Sequence, residues 1–97
     1  MMELKVKTVS PQAGQKIEVD IQTECRQIIV KNFSEGDIWV SLTANATKVD
    51  GMVRIPSYCA QVISCFDAGD YNWATEKIYI YADTASENTV EVQAVGW

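Results

Sequence analysis

A chain of 97 residues can enclose one hydrophobic core, burying roughly 60 to 65 % of the surface its unfolded form exposes, and has no room for a second domain. Its apolar complement is rich in Val, Ile, Tyr and Trp, which suit a pleated, half-buried surface better than a helix. The net charge of −5 lies entirely in residues 55–97, where Lys77 stands alone against Asp67, Asp70, Glu76, Asp83, Glu87 and Glu91; such a chain repels phosphates, which argues against nucleic-acid binding.

Alternation of apolar and polar residues runs from end to end, and no helical stripe competes with it. Leu4 and Val6 alternate with Lys5 and Lys7, which predicts a strand with the apolar pair facing inward. Ile17, Val19 and Ile21 alternate with Glu18 and Asp20 and predict a second strand. Ile28-Ile29-Val30 through Phe33, then Ser34-Glu35-Gly36-Asp37, then Ile38-Trp39-Val40-Ser41-Leu42 reads as a hairpin around a glycine-containing turn. After the polar loop 44–51, a short strand carrying Val53 and Ile55 ends at Pro56, which has no N–H for a ladder.

A strand over residues 59–66 follows, then the longest loop, residues 67–76. Beyond it, Ile78, Ile80 and Ala82 alternate with Tyr79 and Tyr81, and Val90, Val92 and Ala94 alternate with Glu91 and Gln93. About eight short antiparallel strands in a single domain spanning 1–97 indicate an all-β fold, a β-sandwich of jelly-roll or immunoglobulin type.

No stretch reaches the roughly 20 apolar residues of a membrane helix, and MMELKVKTVS has no apolar leader segment, so neither membrane association nor secretion is expected. The three cysteines are then expected as reduced, buried thiols. Cys59 and Cys65 on one strand would stand about 20 Å apart, too far for a disulfide, while a bridge from Cys25 to either is geometrically open.

The chain contains no histidine, which removes the usual general base near neutral pH and the commonest metal ligand. Asp67, Asp70, Glu76 and Asp83 could offer paired carboxylates, and Asp67-x-x-Asp70-x-Asn72 three oxygen ligands. They lack the spacing, glycine and closing glutamate of a calcium loop and read as solvated loop ends. No catalytic residue, metal or cofactor is implied. Asn32-Phe33-Ser34 and Asn45-Ala46-Thr47 match the glycosylation pattern without a secretory context to use it. Of the aromatic residues, Trp39, Tyr79 and Tyr81 fall on the outer parity of their strands, the arrangement a subunit interface would use.

The segments running from Ile28 to Ser41, then Val53-Arg54-Ile55-Pro56, Lys77 to Ala82 and Val90-Glu91-Val92-Gln93 resemble small accessory proteins of bacteriophage particles, over about residues 26–95. The resemblance implies a non-enzymatic head-decoration, head-fibre-base or tail-accessory role, assembled in the bacterial cytoplasm and carried in the virion. It also implies a homo-oligomer, a trimer above all, docked on a capsid or tail protein. The alternative is a carbohydrate-binding module in which Tyr71 and Trp73 stack on a sugar while Asp67 and Asp70 hydrogen-bond it.

Overall fold

β-Branched residues at alternate positions favour extended chain, and among the described residues seven strands form: β1 (Glu3–Val9), β2 (Gln15–Asn32), β3 (Ile38–Ser41), β4 (Val53–Ile55), β5 (Ala60–Ser64), β6 (Thr75–Ala82) and β7 (Val90–Gly96). The computed structural model describes residues 3–64 and 75–96, with no helix among them. The fold is all-β, as the alternation predicts.

β2 is 18 residues long and serves two sheets. Its residues 15–20 pair with β6, whereas residues 27–32 pair with β7 on one side and β5 on the other. The register slips between Asp20 and Cys25 against β6 and between Cys25 and Gln27 against β7. Such irregularities bend a strand, and here they form the corner at which β2 passes from one sheet to the other.

Counted in both places, β2 completes two antiparallel four-stranded sheets packed together, a first sheet β1-β7-β2-β5 and a second sheet β2-β6-β3-β4. Divided at its corner, β2 supplies the second and third of eight segments, and the pairing becomes concentric. The first segment meets the eighth, the second the seventh, the third the sixth and the fourth the fifth. One long hairpin rolled into two layers produces this pattern, which is that of a jelly roll.

Between the layers lie Val19, Ile21, Ile28, Val30, Ile38, Val40, Ile55, Ile78, Ile80, Ala82, Val90, Val92 and Ala94. All are aliphatic, and full burial of each Ile or Val side chain stabilises by about 1.5 to 3 kcal/mol relative to exposure. The alternation expected for β6 and β7 is observed residue by residue.

Three expectations are corrected. The segments around Ile17–Ile21 and Ile28–Val30 belong to one strand. The turn 34–37 closes no hairpin: β2 does not pair with β3, which pairs with β4 and β6, so the turn carries the chain from the first sheet to the second. β1 presents the opposite face from that expected. Lys5 and Lys7 stand beside the buried Ala94 and Val92, while Leu4 and Val6 face outward, 61 % and 50 % exposed. Only an edge strand permits this, because a lysine stem can cover the rim of a core while its amine reaches water.

The crossover is held by Asn32, 1 % exposed. Its Nδ2 lies 2.9 Å from the Gly36 carbonyl oxygen, 3.0 Å from that of Ile55 and 3.2 Å from that of Pro56, so two hydrogens serve three acceptors. Its Oδ1 accepts the Ser34 N–H at 3.0 Å and the Ser34 hydroxyl. The backbone N–H of Asn32 donates to the Cys59 carbonyl, and its own carbonyl accepts from Tyr58 N–H. One side chain therefore ties the end of β2, the 34–37 turn, the end of β4 and the approach to β5. The same engagement leaves Nδ2 no freedom to accept a glycan.

Replacing Asn32 with Ala strands buried carbonyls and the Ser34 N–H. The expected loss is about 3 kcal/mol, since each buried polar group left unpaired costs roughly 1 to 3 kcal/mol. Urea unfolding followed by circular dichroism measures it, and a loss below about 1 kcal/mol would contradict this role.

Candidate functional site

Two outer sheet faces and one loop compete as working surfaces. On the second sheet the register sets Lys16 beside Tyr81, Tyr81 beside Trp39 and Trp39 beside Arg54, with Glu18, Tyr79 and Ser41 in the next row. Trp39, Tyr79 and Tyr81 thus share the outer face, as their parity predicts, and all three are half-buried. Trp39 and Tyr81 meet edge to face, centroids 6.2 Å apart at 62°.

This row is roofed by the chain's own 42–51 loop. Lys16 Nζ donates to the carbonyls of Ala44 at 2.7 Å and Ala46 at 2.8 Å, pinning the loop down. Ala46 is buried, and Gly51, at φ +95°, passes so close that a Cβ there would lie 3.1 Å from Ala46 Cβ. From the tight turn closed by mutual Thr47 and Asp50 backbone hydrogen bonds, Lys48 reaches back over the aromatics. Its Nζ sits 4.4 Å from the Trp39 ring centroid and 6.0 Å from that of Tyr81, and pairs with Asp83 at 2.7 Å. A cation over two rings occupies the faces a partner would use.

The outer face of the first sheet is different. Its register lines up Val6, Gln93, Ile29 and Val62 across all four strands, and Leu4 and Val95 continue the apolar surface in the next row. Leu4, Val6 and Val62 are each at least half exposed, and no described loop covers them. Thr8, Glu91, Lys31 and Ala60 form the adjoining row, where Glu91 accepts a hydrogen bond from Gln93, so polar groups rim the patch. A mostly apolar centre, broken by Gln93 alone in the middle row, with a polar rim is the composition of a docking surface.

At the rim lies the one non-glycine residue with positive φ among those described. Asn32 faces both Tyr58 and Cys59, a bulge, and Cys59 N–H closes a turn onto the Pro56 carbonyl at 3.1 Å. Tyr58 sits at φ +62°, where glycine is the ordinary residue, and its side chain is 69 % exposed. The left-handed conformation costs a residue with a Cβ about 1 to 2 kcal/mol, and packing of this ring recovers little of it. Phe33, 45 % exposed, follows Asn32 just past the end of β2. Cys59 is free and exposed, contrary to the expectation of buried thiols.

Asp67, Asp70, Tyr71 and Trp73, and Cys65 with them, lie outside the described residues, and the strand expected from Ile78 onward already begins at Thr75. Among the described residues no cluster of three or more His, Cys, Asp or Glu side chains is placed to hold a metal. The sequence carries one signal for the first-sheet patch. In Ile28-Ile29-Val30 an alternating strand must send the middle residue to the opposite face. No family model, curated protein or solved structure matches this chain.

Two outcomes follow. The Lys48 hydrogen bond and charge hold the Asp83 carboxyl below its ordinary value. Because the folded pKa lies under the unfolded one, the contact's contribution is present above the ordinary carboxylate range and is lost as pH falls through the lowered value. An NMR titration of the Asp83 carboxyl should show the low midpoint, and Lys48→Met should move it upward. Tyr58→Gly should raise stability by about 0.5 to 1 kcal/mol through relief of the left-handed strain, read as a higher urea midpoint.

Proposed function

We propose that this protein is a non-enzymatic assembly protein of a bacteriophage particle, docked on a capsid or tail partner through the outer face of its first sheet. The carrying observation is the apolar group Val6, Ile29 and Val62, in one row with Gln93 across four strands and continued by Leu4 and Val95, of which Leu4, Val6 and Val62 are at least half exposed. Exposed apolar side chains grouped on the outside of one sheet of a small domain mark a surface that a partner covers. Tyr58 at the rim fits the same reading, since strain that a glycine would relieve is kept where the aromatic ring is presented outward.

The fold adds an analogy of its own. Jelly rolls serve in viral capsids and in lectins, and fold alone does not choose between such roles. The resemblance of residues 26–95 to phage virion accessory proteins favours the first. The absence of histidine from the whole chain weighs against catalysis by the usual acid–base route. The Trp39, Tyr79 and Tyr81 row is the weaker docking candidate, because Lys48 already lies on two of its rings.

Mass spectrometry of purified particles of the phage that carries the gene should find the chain in fixed ratio to a major head or tail protein. Complementation with the Leu4→Lys, Val6→Lys double variant should yield folded protein whose incorporation falls at least about tenfold, because unpaired charges are costly to bury in an interface. Absence of the wild-type chain from particles overturns the reading. Undiminished incorporation of the variant overturns the assignment to this face.

A further inference from the structure

Each sheet has two edges, and three of the four carry devices that discourage pairing. On β1 the lysines Lys5 and Lys7 occupy the core-side register of an edge. Residues 15–20 of β2 bear Lys16, Glu18 and Asp20 at every second position. β4 is three residues long, contains Arg54 and runs into Pro56. Inward charges, alternating charges, brevity and proline are the means by which natural sheets avoid joining one another.

β5 has none of them. Ala60-Gln61-Val62-Ile63-Ser64 carries no charge and no proline, and pairs with β2 along one side only among the described residues. The Cys59 carbonyl accepts from Asn32, so alternation along an antiparallel ladder turns the backbone groups of 61 and 63 toward β2. Those of Ala60, Val62 and Ser64 then point to the open side.

We infer that a second copy of this chain pairs with β5 in antiparallel register about a two-fold axis at Val62, joining the two first sheets into one continuous eight-stranded sheet. In this register Val62 faces Val62 of the other copy, and Ala60 faces Ser64 in both directions. All three outward residues of each copy are then in hydrogen-bonded pairs, about six bonds in total, and a shift of two residues loses about a third of them. The strand is neutral, so meeting its own copy brings no like charges together. Ile29 and Val62 of the two copies then adjoin across the axis, so the apolar parts of the two outer rows meet. The inference deepens the assembly reading and rests on it for the choice of another copy as partner. It also assigns a dimer to this edge, since a two-fold pairing closes on itself and cannot make the trimer that the resemblance implies.

Light scattering coupled to size-exclusion chromatography of the full chain should give twice the chain mass. Val62→Lys and Val62→Glu, each at a half-exposed outer position, should each retain the wild-type circular dichroism spectrum and elute at the single-chain mass, because like charges would stand opposite each other at the axis. Mixing the two variants should restore the double mass as a Lys–Glu heterodimer, a result specific to a register that places residue 62 against itself. A wild-type mass of one chain, a Val62→Lys protein that stays dimeric, or a mixture that stays monomeric overturns the inference. The Leu4→Lys, Val6→Lys variant should remain dimeric. A dimer that is absent from particles therefore sinks the docking reading alone, and a monomer that is incorporated sinks the edge pairing alone.

Discussion

The buried amide of Asn32 is the interaction on which the rest of the structure depends. It sits where the chain leaves the first sheet for the second, and a chain that stops pairing inside a protein leaves backbone groups that need partners. Its Nδ2 serves the carbonyls of Gly36, Ile55 and Pro56, while its Oδ1 takes the Ser34 N–H. Among the described residues no buried side-chain nitrogen or oxygen lacks a hydrogen-bond partner. With this amide in place the chain crosses to the second sheet, where Ile38 and Val40 join Ile28 and Val30 in the core.

The second requirement is the corner in β2. An 18-residue strand in a small domain is too long for one flat sheet, and the register slips near Cys25 let it serve both. With that corner in place the remaining pairings nest, and each successive segment finds its partner on the returning half of the chain. Long-range strand pairs therefore dominate over local hairpins, a topology whose loop-closure cost slows folding.

The two outer faces show how similar compositions acquire different uses. The second sheet carries the larger aromatic side chains but also the loop that covers them, fastened by Lys16 and closed by Lys48 over Trp39. The first sheet carries smaller apolar side chains and no described cover. Among the described residues, its β5 edge is also the only one of the four without charge, proline or brevity to discourage pairing. A surface for docking and an edge for self-association thus lie side by side, which is economical in a chain with room for one core.

Period-two alternation was legible from the residues alone. It determined the all-β class, the core parity of β6 and β7, and the outward placement of Trp39, Tyr79 and Tyr81, because successive side chains of a strand must point to opposite faces. The missing histidine narrowed the chemistry in the same direct way. Alternation cannot say which parity meets a core, and so the inward placement it suggests for Leu4 and Val6 fails: that choice depends on β1 being an edge, a property of its neighbours. Nor can it say whether two adjacent runs pair with each other or separate into different layers. The tertiary structure alone decided that 34–37 is a crossover, that Asn32 is its anchor and that Lys48 covers the aromatic row, because each depends on contacts between segments far apart in the chain.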